Sequence, residues 1–255
     1  MIVRNAKPTG LIIRDGKFIN KIYRNAKLVY ELDYVTDGLV QHYDAINNTG
    51  SGHDPLAVVW KDLAGTNDGT LQLGGDWING NTLRFNGNNR VRFDGKITDD
   101  YTIMATMSIV KSGTHPRLFG DPRYPTVYFH TNAGAGNEYA FAFYSTAYGG
   151  TASFDDVFNT RSTAVIPEAN TSYHVAIRST GSDGSAKVEL FVNGIKVGET
   201  TRGVPAVLNT TNAYLGGNNA TNRFLTGTIS NFMRYDRVLS DDEVYNNAII
   251  DLNRF

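Results

Sequence analysis

The sequence predicts an all-β fold: a two-sheet antiparallel sandwich with a small hairpin segment in front and one short helix behind. Three observations carry this prediction. Eight Asp-Gly or Asn-Gly pairs, at 15–16, 37–38, 68–69, 79–80, 86–87, 94–95, 183–184 and 193–194, supply the positive φ that tight hairpins demand. Between them, apolar and polar residues alternate with the period of a strand. Only Ser240-Asp241-Asp242-Glu243 carries the spacing that opens a helix, with Ser and Glu placed to satisfy free amides. About a dozen short strands can hide their apolar faces only by packing sheet on sheet.

In chain order, the first 36 residues repeat a turn every ten: Arg4-Asn5-Ala6-Lys7, Arg14-Asp15-Gly16-Lys17 and Arg24-Asn25-Ala26-Lys27. Apolar residues flank each turn, including Ile22, Tyr23 and Tyr30, so the segment reads as a small β-meander with one apolar face. Such a face needs the sandwich, a second copy or a partner to cover it. Residues 1–36 are therefore expected to anchor or oligomerise the protein, through Arg4, Arg14, Arg24, Ile22, Tyr23 and Tyr30; packing as a plain extension is the other reading. The sandwich is expected over 37–255. Within it Tyr101, Ile103, Ala105, Met107 and Ile109 share one strand face, and Tyr173, Val175 and Ile177 alternate with His174, Ala176 and Arg178. His174 is expected to be a hydrogen-bonded structural residue. Val188, Leu190 and Val192 lead into the turn Asn193-Gly194, the strongest hairpin signal, and a helix is expected from about Asp241 to Ile250.

Composition removes whole classes of function. In 255 residues, 24 Lys+Arg against 25 Asp+Glu leave a net charge of −1, which argues against nucleic acid as a partner. No cysteine is present, which excludes disulfides, Cys-bound zinc and thiol nucleophiles. Apolar runs fall far short of the roughly 20 residues of a spanning helix, so no membrane insertion is expected, and residues 1–8 do not read as a secretory signal. Glycoside hydrolysis needs two opposed carboxyl groups. The six Glu, at 31, 138, 168, 189, 199 and 243, offer only Glu31-Leu32-Asp33 as an approach to such a pair, and Asp241 with Glu243 is explained by the helix start. The five His, at 42, 53, 115, 130 and 174, have no metal-ligand spacing, and no Gly-x-Ser-x-Gly elbow occurs.

From Gly38 onward, six segments match one family in order. Gly38 to Ala45 is similar to its opening strand, and Trp60 to Leu71 to its "D-x-S-G-N-x-N-D-G-T" loop. Leu83 to Val91 is similar to "L-x-F-D-G-x-x-D-Y-V", and Tyr101-Thr102-Ile103 to "F-T-I-S-A-W". Tyr173 to Ala176 with Val188 to Gly194 resembles "W-H-H-V-A … L-Y-V-D-G", and Phe224 to Ser240 resembles "F-x-G-x-I-D-E-V-R-I-Y-N-R-A-L-S". This is the concanavalin A-like, laminin-G-like jelly roll, and the resemblance covers about 37–255. It implies two curved antiparallel sheets that bind ligands on the concave face or by rim loops, in lectins, adhesion modules, glycan hydrolases and virion proteins. Asn86 and Asn89 stand where the family often has Asp, and Asn231 stands near its usual Asp-Glu pair, which removes carboxylates that a metal site would use. Ile22 to Glu31 also resembles short "I-Y-R-N-G-K-L-V-Y-E" stretches of phage structural proteins.

Two segments combine aromatic faces with groups that bond sugar hydroxyls. One holds Asp121, Arg123 and Tyr124, with Tyr128 and His130 following. The other holds Asn218, Asn219, Asn222 and Arg223. No cofactor is called for; calcium at Asp62, Asp68 or Asp183 is the one candidate. The resulting expectation is a non-enzymatic bacteriophage tail- or head-fibre component, released by lysis, homo-oligomeric and joined through 1–36 to other virion proteins, whose jelly roll binds host-surface glycan. A free bacterial lectin is the alternative, and a glycoside hydrolase the third reading.

Overall fold

The computed structural model describes residues 13–14, 17–18, 21–24, 27–31, 33–94, 100–110, 117–120, 126–131, 139–144, 168–180, 186–202, 213–217 and 224–255. The strands are, in chain order, β1 (Ile13–Arg14), β2 (Lys17–Phe18), β3 (Lys21–Arg24), β4 (Lys27–Glu31), β5 (Leu39–Asp44), β6 (Val59–Trp60), β7 (Gly69–Gln72), β8 (Asp76–Ile78), β9 (Thr82–Asn86) and β10 (Arg90–Phe93). There follow β11 (Tyr101–Ile109), β12 (Arg117–Gly120), β13 (Thr126–Thr131), β14 (Tyr139–Tyr144), β15 (Tyr173–Thr180), β16 (Ala186–Val192), β17 (Ile195–Arg202), β18 (Ala213–Leu215), β19 (Thr226–Tyr235) and the helix α1 (Asp241–Arg254).

They form the expected jelly-roll sandwich. A seven-stranded antiparallel sheet has the order β14-β13-β12-β18-β10-β7-β6, and an eight-stranded one the order β17-β16-β15-β11-β19-β9-β8. The edge of β19 that meets β9 over its first half meets β5 over its second. The strand β11 is buried on both faces. Its odd-numbered residues join Tyr43, Trp60, Phe85, Val91, Phe119 and Phe232 in the core between the sheets, while Met104 joins Ala176, Phe191, Met233, Leu239 and Val244 beneath α1. The eight-stranded sheet is thus a middle layer. Each large side chain buried this way stabilises the fold by about 1.5–3 kcal/mol.

One irregularity makes that packing work. The β11–β19 register passes from Thr106–Asn231 to Met107–Ile229, leaving Ser230 as a bulge residue. The extra residue brings odd-numbered Ile229 and even-numbered Phe232 into the same core. At the expected hairpin, Asn193 and Gly194 adopt φ of 51° and 78°, and Gly194 lies so close to α1 that a Cβ would sit 2.7 Å from Tyr245 Cδ2. The capping box is present: Ser240 Oγ accepts from the Glu243 amide at 3.2 Å, and the Glu243 carboxylate accepts from the Ser240 amide at 2.8 Å. The helix runs to Arg254 rather than ending near Ile250, because Asp251 and Arg254 in its last turn are held by tertiary contacts.

Those contacts form a buried polar network. Asp251, fully buried, accepts from Tyr34 Oη at 2.5 Å, Thr106 Oγ1 at 2.6 Å and Asn231 Nδ2 at 2.8 Å. The Asn231 carbonyl oxygen takes a hydrogen bond from His42 at 3.0 Å, and Arg254 donates to Tyr34 Oη and to Asp44, each at 2.6 Å. Nearby, Asn247 accepts from the Val35 amide and Tyr235 Oη donates to the Val35 carbonyl. Residues 33–36, assigned from sequence to the N-terminal segment, are therefore bonded into the sandwich. Ahead of them, β1–β2 and β3–β4 are two separate antiparallel hairpins among the described residues, not one continuous meander. Arg4 and the first repeat lie outside the described residues, and Arg14, Ile22, Tyr23, Arg24 and Tyr30 occupy strand positions in the hairpins.

His174 departs from the expected hydrogen-bonded role. Its ring is completely buried, neither nitrogen has a hydrogen-bond partner, and the nearest carboxylate oxygen, on Asp251, is 3.8 Å away. Burial pushes it down to about 3 from an ordinary value of 6.5. Burial also lowers His42, against the opposing charges of Asp44 and Asp251. The His174 ring folds neutral, so the stability it lends is complete above pH 6.5 and is lost as pH falls toward 3, by about 1.4 kcal/mol per pH unit, and His42 acts in the same direction. Asp251, raised by burial, has the opposite sign and offsets part of the loss at the acid end. The melting temperature should therefore fall steadily from pH 6.5 to 4.5, and His174→Leu should flatten that slope; an unchanged slope in the variant would refute this account.

Candidate functional site

Register along β7, β10 and β18 decides which side chains reach solvent on the seven-stranded sheet. Val91 pairs with Leu71 and Leu215, all three directed at the core, so their neighbours Thr70, Gln72, Arg90 and Arg92 lie on the outer face, together with Tyr214, whose ring is buried at 5% exposure. No described helix or strand layer packs against that face. The Arg90 guanidinium stacks on it, 4.5 Å from the Tyr214 ring centroid and 5.9 Å from that of Phe224. Arg90 Nε donates to Gln72 Oε1 at 2.9 Å, which fixes the plane of the guanidinium. Arg92 is exposed beside it, and no described group pairs with its side chain.

The platform is shaped by Gly216 and Gly217. With φ +73°, a Cβ on Gly216 would run into the Phe85 ring, and one on Gly217 would come within 2.8 Å of Phe224. The Gly216 amide donates to Leu118 O and the Leu225 amide to Gly216 O, each at 2.9 Å, so the segment between is closed at its base. Asn218, Asn219, Asn222 and Arg223 belong to that segment and lie outside the described residues, but its two ends emerge at the Arg90–Tyr214–Phe224 stack.

The other sequence candidates divide. In β12 and β18, Phe119 pairs with Leu215 and Gly120 with Tyr214, so β12 leaves the sheet at the end opposite to Gly216. Asp121, Arg123 and Tyr124 follow from there and lie outside the described residues; the two candidate segments thus attach at opposite ends. The strand β13 returns, with Tyr128 paired to Arg117 and Val127 to Phe119. Tyr128 and His130 hold strand positions on β13, toward the Gly216 end. Sequence reading missed Gln72, Arg90, Arg92 and Tyr214. The signal was available in Arg90-Val91-Arg92-Phe93, whose arginines occupy the polar positions of a half-buried strand.

The calcium candidates turn out otherwise. Asp62 is buried, its Oδ1 accepting from the amides of His42 and Ala64 and its Oδ2 from that of Asn67. Asp68 accepts from the Asp62 amide and pairs with Lys61 at 2.6 Å. These oxygens shape a turn and are not turned to a shared cation. Among the described residues, no cluster of three or more His, Asp or Glu side chains could hold a metal; Asp183 lies outside them. Asn89 is likewise a turn residue, accepting from the Asn86 amide and donating to Arg84 O.

A groove of about 560 Å³ lies on the helix side of the molecule, lined by Arg178, Thr180, Lys187, Glu189, Val238 to Asp241 and Glu243. The two glutamates that line it are held in the charged form. Burial disfavours the Glu189 charge, but hydrogen bonds from Arg178, Lys187 and Lys196 hold it at about 2. The bidentate Arg237 contact does the same for Glu243, also at about 2. A glycosidase acid needs a raised value. The carboxyl that burial does raise, Asp251, is sealed under α1.

A laminin-G-type family model, described as the concanavalin A-like lectin/glucanases superfamily, matches residues 88–245. No curated protein sequence matches the chain. Among solved structures, domain 4 of AbnA, an extracellular GH43 arabinanase from Geobacillus stearothermophilus in complex with arabinotriose, is similar at TM-score 0.59 and 18% identity, covering 82% of this chain and 98% of that one. Trypanosoma rangeli sialidase in complex with sialic acid follows at 0.57 and 17%, covering 91% of this chain and 36% of the sialidase. The binding domain of Paraclostridial Mosquitocidal Protein 1 matches at 0.56 and 17%, covering 84% and 52%. At these identities the likeness is one of fold. The Asp62 turn can be tested directly: calcium or chelator should leave the melting temperature unchanged, while Asp62→Ala should destabilise by at least about 2 kcal/mol in urea unfolding, because three backbone amides lose their acceptor.

Proposed function

Because this chain belongs to the concanavalin A-like lectin/glucanase superfamily, we propose that it is a carbohydrate-binding protein that holds glycan on the outer face of its seven-stranded sheet without cleaving it. The observation that carries this reading is the group formed by exposed Arg92, half-buried Gln72 and Phe224, and Arg90 lying over the buried Tyr214 ring, on a face against which no described helix or strand layer packs. Aromatic and guanidinium planes pack on the apolar side of a sugar ring, while Gln and Arg bond its hydroxyls. Two of the structural neighbours were solved with arabinotriose and with sialic acid, in keeping with a sugar ligand. Against hydrolysis stand the ionised Glu189 and Glu243 and the inaccessible Asp251. On a glycan array the intact protein should give saturable binding with no release of reducing ends. Combined Gln72→Ala and Arg92→Ala should weaken it at least about tenfold, whereas Asp242→Ala on α1 should not. Cleavage of a bound polymer would overturn the reading.

The finer part of the proposal places the protein in a bacteriophage tail or head fibre, attached through its N-terminal hairpins. Its support is the ten-residue repeat, two copies of which span hairpins of their own, and the resemblance of Ile22 to Glu31 to phage structural proteins. Since Tyr34 and Val35 are bonded to α1 and β19, the segment to remove is 1–32. Its loss should leave the melting temperature intact and abolish self-association and joining to particles. Removal of 1–36 should also lower the melting temperature, through loss of the Tyr34–Asp251 and Val35–Asn247 bonds. Unchanged assembly without 1–32 would favour a free lectin instead.

A further inference from the structure

Three of the turns that shape the sandwich are Asn-Gly pairs, at 79–80, 86–87 and 193–194. Such a pair holds both halves of a reaction. The glycine amide nitrogen is a nucleophile, the Asn side-chain carbonyl carbon is an electrophile, and the glycine has no Cβ to hinder their approach. The same two residues stand at all three places, so the sequence alone does not rank them; what the fold does to nucleophile, electrophile and surrounding space does.

At Asn86-Gly87 both groups are occupied. The Gly87 amide donates to Leu225 O at 3.0 Å, and Asn86 Oδ1 accepts from the Asn88 amide at 3.0 Å. At Asn193-Gly194 the side chain is tied down, its Oδ1 accepting from the His174 amide at 3.0 Å, and the Asn193 amide donates to His174 O at 2.7 Å. Gly194 is also buried against α1, where a Cβ would lie 2.7 Å from Tyr245 Cδ2, so its peptide has little room to turn. Asn79-Gly80, between β8 and β9, shares the left-handed backbone of Asn193, with φ of 56° against 51°, but none of these restraints. Both residues are exposed, and the bond that closes the turn runs from the Asn81 amide to Ile78 O at 3.3 Å, using neither of them. Among the described residues no hydrogen bond holds the Asn79 side chain or the Gly80 amide, and nothing lies within 4 Å of a Cβ placed on Gly80.

We infer that Asn79 is a site of spontaneous deamidation, which converts the β8–β9 turn to an aspartyl or isoaspartyl linkage while the other two pairs are spared. The Gly80 nitrogen bonds to Asn79 Cγ and gives up its proton, the Cγ–Nδ2 bond breaks, and ammonia leaves behind a succinimide ring. Water then adds to either ring carbonyl and opens it, to aspartate or to isoaspartate. Water is the only co-reactant, and the exposed turn meets it freely. Either product adds a negative charge to a chain whose net charge is −1. Isoaspartate also lengthens the backbone by one methylene, next to a hairpin whose register is anchored: Ile78 pairs with Thr82 and Trp77 with Leu83, and Trp77 donates to Ala57 O at 2.8 Å and meets Trp60 edge-on at 5.1 Å.

The test holds the full chain at mildly alkaline pH, beside the same chain in urea, and maps both by proteolysis and mass spectrometry with aspartyl and isoaspartyl peptides resolved. In the folded chain Asn79 should convert first, giving both products, and Asn86 and Asn193 should react at least about tenfold more slowly, because each must first open locally and break its hydrogen bonds. In urea the three rates should converge. Asn79→Gln, whose longer side chain disfavours ring closure, should remove the early release of ammonia. Conversion of Asn86 or Asn193 as fast as Asn79 in the folded chain would overturn the inference, as would an Asn79 that stays intact when folded yet reacts in urea. An unchanged ranking in urea would trace the difference to neighbouring residues in the chain and overturn the structural account.

Discussion

A carboxylate buried beneath a helix organises this molecule. Asp251 has no access to water, so every lone pair it keeps must be met by the protein, and the donors come from three places: Tyr34 ahead of the sandwich, Thr106 on β11 and Asn231 on β19. An unpaired buried charge would cost several kcal/mol, and removing one partner of such a set is far more damaging than never having built it. The network therefore clamps the helix, the lead-in segment and the two central strands of the eight-stranded sheet into one arrangement. It also explains why a neutral His174 can sit 3.8 Å from that carboxylate with no hydrogen bond of its own: three donors already attend Asp251, and desolvation keeps the imidazole uncharged.

The clamp makes the two sheets unequal. With α1 on its back, the centre of the eight-stranded sheet is buried on both sides, and β11 has no residue left to offer solvent. The seven-stranded sheet is covered on its core side, and its other side remains polar and aromatic. Ligand recognition is therefore more readily built on the sheet without the helix. Charge follows the same division. Beside the helix, cations and anions lie within 2.5 to 3.1 Å of each other and hold each other ionised. Groups in that state position neighbours well and exchange protons poorly, which suits a protein that binds rather than one that cuts.

The turns and the helix start were legible in the chain because they are local. Asn193-Gly194 takes positive φ because those residues tolerate it, and Ser240 and Glu243 close a capping box because their spacing allows little else. Alternation along β11 and β15 was equally legible, since a strand's two faces are a property of its own sequence. The Ser230 bulge was not, because it arises only when β19 must match β11 at one end and β9 and β5 along its other edge. Asp62 and Asp68 look like cation ligands when only their side chains are counted; three amides brought together by folding take the oxygens of Asp62, while the Asp62 amide and Lys61 take those of Asp68.

By itself the sequence determined the fold class, the hairpin turns, the beginning of α1 and the family pattern, all of which depend on residues near one another along the chain. Tertiary structure decided where the helix ends, which N-terminal residues belong to the sandwich, and that Arg90 meets Tyr214 and Phe224 on one face of a sheet. Arg90 lies more than a hundred positions before Tyr214, and only the pairing of β10 with β18 brings their side chains within stacking distance.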